Sequence, residues 1–238
     1  MRVRFKKYFI YTSALFALFL ALSTIVLGIR TALIKTIDLE SYQHQQDADH
    51  YIALPLSGKN FQTNSYINYG VGRHYLKGKT AATILAAYEA LVQTNPQWQF
   101  TYAEMGWNGG GRFRPHRTHR DGMSADFMAP VYQLDAEGKK IPATLPTHIF
   151  NLWGYTIRLD EQGKYEHYQM DTQALIAHIA ALDHAGKAYH VSIKRVILEP
   201  PLLKILQTHP DFIAIQHINF MKSSAWFPHD GHYHIDFQ

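Results

Sequence analysis

The sequence predicts an α+β domain, and three observations carry that expectation. Helix-like and strand-like segments alternate without the regular βαβ rhythm of a doubly wound fold. Beyond about residue 51 the chain runs for about 190 residues without an internal repeat or low-complexity tract, enough for one substantial core and short for two. It has no cysteine, so no disulfide can replace an ordinary apolar core.

At the N-terminus, Tyr8 to Ile29 form 22 consecutive uncharged residues, preceded by Arg2, Arg4, Lys6 and Lys7 and followed by Arg30. As a helix rising about 1.5 Å per residue, this stretch can cross a bilayer core of about 30 Å. The leading cations favour an inside N-terminus, which places everything after Arg30 across the membrane, periplasmic or at the cell surface in a bacterium. The expected organisation is a cytoplasmic tail over 1–7, an inner-membrane anchor over 8–29, a polar linker over 30–51 and a folded domain over 52–238. Ala21-Leu22-Ser23 offers small residues where a signal peptidase would cut, so secretion after cleavage is the alternative. The apolar run continues through Ile25-Val26-Leu27, which favours the uncleaved anchor.

Within the domain, Thr80 to Val92 reads as a helix with Ile84, Leu85, Tyr88 and Leu91 at helical spacing and Thr80 as its cap. Asp171 to His184 reads as a second, capped by Asp171, with Leu175, Ile176, Ile179 and Leu182 inward and His178 and His184 on the surface. A shorter helix is expected from Pro200 through Leu206. Strands are expected over Gln99 to Glu104, Ala125 to Pro130, His190 to Leu198 and Tyr233 to Phe237, and Asp160-Glu161-Gln162-Gly163 suggests a hairpin.

Charge narrows the partners. The net charge is +4, but the first thirty residues hold five of the 23 basic residues and none of the 19 acidic ones, leaving 18 against 19 beyond Arg30. A nearly neutral domain offers no positive field for nucleic acid. Without thiolates, any metal site must use nitrogen and oxygen donors.

His119, Asp126 and the triplet His232-Tyr233-His234 are such donors. A hydrolytic zinc ion takes about three protein ligands of imidazole or carboxylate type and keeps one position for water. On an extended strand His232 and His234 face the same way. His119 and Asp126 are separated by a stretch with the turn signal Asp121-Gly122, and the weak helix formers Gly122 and Ser124 favour a loop entering a strand. With 15 histidines in the chain, either spacing alone carries little, and a surface or core pair would explain it. The two together carry the argument.

Two blocks resemble a known family. One runs Gly109-Gly110-Gly111-Arg112-Phe113, His116-Arg117-Thr118-His119, Gly122 and Asp126-Phe127; the other is Trp226-Phe227-Pro228-His229-Asp230-Gly231-His232-Tyr233-His234. Their order and spacing are similar to the penicillin-insensitive murein endopeptidases, within the superfamily of lysostaphin-type, D-Ala-D-Ala and hedgehog-type zinc peptidases. The rest of the chain resembles the family only loosely, and some members carry cysteines that this chain lacks. The resemblance implies a small antiparallel sheet carrying the ligands of one zinc ion, His119, Asp126 and His234, with His232 beside the metal-bound water. His116 and His229 complete the cluster, orienting a ligand or contacting substrate oxygen. Another arrangement in the superfamily puts a glutamate three residues before the last histidine ligand; Gly231 stands there, which makes His232 the candidate base.

The implied activity is hydrolysis of peptide crosslinks in bacterial peptidoglycan, with the murein stem peptides as partner. Trimming of D-alanine from the same peptides and a non-catalytic zinc module that binds murein or regulates other hydrolases remain alternatives. Stem peptides carry free carboxylates, and Arg112, Arg114, Arg117 and Arg120 cluster beside the expected metal, either as bidentate anchors or as a solvated basic loop. Trp107, Trp226 and Tyr233 flank the motifs as groove contacts or packed wall. Glycines 109 to 111 either admit substrate close to the backbone or make a turn. Arg73-His74 and Glu199 lie in loosely similar segments without an assignable task.

Overall fold

The computed structural model describes residues 11–23 and 50–238. Residues 11–23 form a helix, α1, whose Tyr11, Leu15, Phe16 and Phe19 are exposed. Among the described residues no helix is long and apolar enough to cross a membrane. The 13 described residues of α1 rise about 20 Å as a helix, less than a bilayer core of about 30 Å, so the described residues do not support the spanning helix expected over 8–29. The expected tail over 1–7, residues 8–10 and 24–29 of that segment, and 30–49 of the expected linker lie outside the described residues.

The domain opens with β1 (Tyr51–Ala53), β2 (Phe61–Thr63), the short helix α2 (Tyr66–Gly70) and β3 (Tyr75–Lys77). Helix α3 (Gly78–Thr94) matches the expected periodicity, with Ile84, Tyr88 and Leu91 buried. Its N-cap is Lys77, not Thr80, whose hydroxyl instead contacts Met123 Sδ at 3.0 Å from the first turn. Then follow β4 (Phe100–Tyr102), β5 (Ser124–Met128), β6 (Val131–Leu134) and β7 (Lys140–Ala143). The β6–β7 hairpin, closed at Asp135 to Gly138, was not expected from the sequence. Asp160 to Gly163 makes the expected tight turn, with Asp160 N donating to Lys164 O at 2.8 Å and Gly163 N to Asp160 O at 2.9 Å; among the described residues no strand is paired directly before it, and it leads into β8 (Lys164–Tyr165), which pairs with β9 (Tyr168–Met170) in the hairpin that follows. Helix α4 (Thr172–Gly186) is capped by Asp171, whose side chain accepts from Ala174 N at 3.0 Å. The chain ends with β10 (Ile193–Ile197), α5 (Pro200–Thr208) and β11 (His232–Phe237).

A five-stranded sheet in the order β10-β11-β5-β4-β2 forms the centre, antiparallel except for the β2–β4 pair. β1 and β3 form a separate pair, and β7-β6-β9-β8 a four-stranded sheet. The mixed α+β class is therefore observed. Side chains alternate across β5 and β11. Phe127 and Tyr233 point to one face, where His178 of α4 packs on both and is itself stacked by Tyr88 of α3 and Phe100. His178 is thus fully buried, not on the surface as the sequence suggested; His184 is exposed. The other face of the same strands carries the polar residues.

Candidate metal centre

The register of β5 against β11 sets the centre. Asp126 pairs directly with His234, His232 with Met128, and Ser124 with Asp236, so one face presents Ser124, Asp126, His232, His234 and Asp236 in two adjacent rows. His119 arrives from the preceding loop, as expected. Phe113, fully buried, anchors that loop and stacks on the His119 ring with centroids 5.4 Å apart. Asp121 Oδ1 accepts from Met123 N at 3.1 Å, closing the turn into β5. His119 itself has φ 63°, a left-handed conformation that costs a non-glycine residue on the order of 1 kcal/mol and is common at functional sites.

Hydrogen bonds behind the two rings determine where their lone pairs point. His119 Nδ1 contacts the carbonyl of Met105, which can only accept, so Nδ1 carries the proton and Nε2 is the free base. His234 Nε2 lies 2.7 Å from Asp236 Oδ1, so it donates to that carboxylate and leaves Nδ1 as the free base. His119 Nε2 is 3.1 Å from His234 Nδ1 and 3.2 Å from Asp126 Oδ1, and His234 Nδ1 is 2.7 Å from Asp126 Oδ1. Three electron-pair donors therefore converge with no donor hydrogen among them unless a ring gains a proton. Ligands of a tetrahedral ion at about 2.0–2.1 Å are about 3.3 Å apart, close to the two edges at His119, whereas the 2.7 Å edge between His234 and Asp126 is a hydrogen-bond distance.

Protonation energetics point the same way. Burial opposes ionisation of Asp126, yet the adjacent His119 and His234 hold its carboxyl well below the usual range. Burial alone would depress His234, but hydrogen bonds to Asp126 and Asp236 raise it to about 9. His119 is lowered, chiefly by burial. A pocket that attracts a proton this strongly between two carboxylates also attracts a cation.

His116, His119 and Asp126 can also bring one ligand atom each within 4.8 Å of one another. The triangle with His234 is tighter, because His116 Nε2 is engaged with Glu104 Oε2 at 2.7 Å and its Nδ1 stands 3.8 Å from Asp126 Oδ2. The second Asp126 oxygen is held by Tyr155, whose hydroxyl donates at 2.8 Å while accepting from Glu104 N at 3.2 Å. Burial and the carboxylates of Asp126 and Glu104 keep that phenol protonated. Glu104 is held ionised against burial by His116 and Arg73. The Arg73 guanidinium pairs with it and lies 3.9 Å from the Phe113 ring centre.

His232 stands beside this group with its ring 4.6 Å from His229 and 4.7 Å from Tyr155. Burial lowers it to about 3, so it is neutral, and its Nδ1 has no hydrogen-bond partner. The loop that brings His229 is tied down by Glu199, which accepts from His229 N at 3.0 Å and from Ser224 Oγ at 2.6 Å. His229 Nδ1 donates to Phe227 O at 2.6 Å, and burial lowers the ring's basicity. A glutamate at position 231 has no room, since a Cβ there would lie 2.7 Å from the carbonyl oxygen of Ile157.

The centre opens into a groove of about 550 Å³ lined by His116, His229, His232 and His234 at its base and by Trp153, Tyr155, Trp226 and Phe227 along its walls. Of the arginines expected beside the metal, Arg117 lines this groove, whereas Arg112, Arg114 and Arg120 are exposed outside it. Arg73 and Arg195 line it instead. Trp226, 58% exposed, is a groove wall as expected. Tyr233 is not: it is buried on the opposite face of β11, where its hydroxyl meets His178 Nδ1. Trp107 packs near Phe113 outside the groove, and Gly110 closes a turn against Arg120 O, where a Cβ would lie 2.4 Å away. Glu104, Tyr155, Arg195 and Asp236 carry no local motif; tertiary pairing alone brings them in.

Comparison with protein-family models finds no match, and comparison with curated proteins finds none either.

Proposed function

We propose that this protein is a zinc-dependent endopeptidase that cuts the peptide crosslinks of bacterial peptidoglycan. The observation that carries the reading is the convergence of His119 Nε2, His234 Nδ1 and Asp126 Oδ1, within 3.2 Å of one another, at the base of a groove. Nitrogen and oxygen donors of this kind suit zinc, which when bound acidifies a water and polarises a scissile carbonyl. The choice of murein peptides as substrate follows from the resemblance of the two motif blocks.

The chain's own groups supply the rest. His232, neutral beside the group, would take the proton that the attacking water loses and pass it to the departing amine; burial weakens it as a base and the nearby Asp126 carboxylate offsets part of that loss, so it would hold the proton only in transit. His116, fixed by Glu104, faces the second oxygen of Asp126 together with Tyr155, so the carboxylate is held in one orientation. Trp226 and Phe227 give one wall an apolar surface, and Arg117 beside Trp226 offers a guanidinium for a stem-peptide carboxylate. The apolar, cation-led sequence over 8–29 supports export to the periplasm, with detection of a mature N-terminus near Thr24 as the sign of cleavage rather than anchoring.

The test is incubation of the zinc-loaded protein with defined crosslinked muropeptides and identification of products by mass. Monomeric muropeptides are the expected product. Release of D-alanine alone would reassign the activity to a carboxypeptidase, and unchanged substrate with zinc bound would leave a murein-binding module.

A further inference from the structure

Asp236 is a buried carboxylate that the proposed hydrolysis does not use directly. It stands two residues beyond His234 on the same face of β11, opposite Ser124 of β5 and Arg195 of β10. Its Oδ1 accepts from His234 Nε2 at 2.7 Å and from Ser124 Oγ at 2.8 Å; its Oδ2 accepts from Arg195 Nε at 3.0 Å and also from Arg195 Nη2. A carboxylate offers about four lone-pair positions, and all four are filled. The β10–β11 register shifts between Ile193 and Arg195, and this irregularity sets Arg195 directly opposite Asp236. A bare surface ion pair with Arg195 would need only one oxygen at the rim, whereas here the second oxygen turns inward onto the ring of His234.

We infer that Asp236 is a positioning residue that fixes His234 in the tautomer that binds metal through Nδ1, and that Ser124 and Arg195 hold Asp236 in place for that task. The inference rests on the metal-binding reading of the His119–Asp126–His234 group and is independent of peptidase activity. Imidazole has one proton to place. With Asp236 accepting at Nε2, the proton is held there and Nδ1 faces Asp126 and His119 as a base. Without the carboxylate, the competing tautomer places its proton on Nδ1 and donates it to Asp126 Oδ1 at 2.7 Å. That hydrogen bond would consume two of the three donor atoms at once. Asp236 suppresses it.

The experiment measures zinc affinity of the full chain by chelator competition, with folding checked by near-UV circular dichroism. Asp236→Asn, of equal size, is expected to weaken zinc binding about 10- to 100-fold. Ser124→Ala, which removes one bond to the same oxygen, is expected to weaken it by a smaller factor. Nitrogen-15 spectra of the histidine rings supply a readout that a merely structural role would not move. In the metal-free protein, at a pH high enough for the ring to carry a single proton, His234 should hold it on Nε2 in the parent chain and show increased Nδ1 protonation in Asp236→Asn. If the parent chain binds no zinc, the metal-binding reading itself falls, and this inference with it. If the parent binds zinc and folded Asp236→Asn binds it equally tightly with His234 in the same tautomer, the positioning role alone is overturned. Should Asp236→Asn fail to fold, Ser124→Ala decides, and parent-like affinity and tautomer in that variant overturn the inference.

Discussion

His232 and His234 are two residues apart on one strand face, yet their environments set them to opposite tasks. His234 lies between two carboxylates that raise it to about 9, while His232 is buried with its Nδ1 unpartnered and falls to about 3. Replacement of His234 by alanine is therefore expected to abolish both stoichiometric zinc and turnover. His232→Ala should keep zinc and lose a factor of about 10² to 10⁴ in kcat, the usual range for a proton-transfer group. Metal analysis beside muropeptide kinetics separates the two, and full activity in His232→Ala would remove it from the chemistry. Gly231 is a matter of space alone. Its Cβ would sit 2.7 Å from Ile157 O and 3.1 Å from Ile157 Cβ, so Gly231→Ala should destabilise the fold by about 1–3 kcal/mol, read as a lower denaturation midpoint. The same contact explains why a glutamate base is not available at that position.

At the scale of elements, β11 is a two-faced strand, and the face assignment changes what Tyr233 does. Its hydroxyl meets Nδ1 of His178, whose Nε2 has no partner. Tyr233→Phe would leave both ring nitrogens of a fully buried histidine unpaired, so the expected cost is about 1–3 kcal/mol of stability. The Michaelis constant should stay unchanged; a raised constant at unchanged stability would return Tyr233 to the groove. The sequence contained this information: the alternation that aligns His232 with His234 necessarily turns Tyr233 away. Likewise His178 falls three residues after Leu175 and four before Leu182, inside the inward stripe of α4. Three helices were legible because 3.6-residue apolar periodicity survives over nine or more residues. The convergence of His119, Asp126 and His234 was legible because its members lie in short motifs. Glu104, Tyr155, Arg195 and Asp236 were not, because strand register and loop closure decide their positions and no local pattern encodes either. The β6–β7 hairpin was missed for a related reason, its strands being four residues each and half exposed.

For the whole molecule, stability should follow pH through the buried histidines, and the alkaline side reports on the metal. His178 and His232 have folded values of about 3 against about 6.5 when unfolded. The unfolded chain binds more protons between those values, so each costs about 1.4 kcal/mol per pH unit as pH falls from 6.5 towards 3. His234 has the opposite sign. Raised to about 9, it contributes stability that is fully present below about 6.5 and lost as pH rises through 9, on the order of 3 kcal/mol in metal-free protein. Zinc at the His119–Asp126–His234 group replaces that proton, and its affinity gains as the competing proton leaves. Denaturant midpoints measured at pH 6.5 and pH 9.5, with chelator and with zinc, should therefore show an alkaline decline only in the metal-free protein. A decline of equal size with saturating zinc would mean that the cation does not occupy the Nδ1 position of His234, and the proposed centre would have to be relocated towards His116.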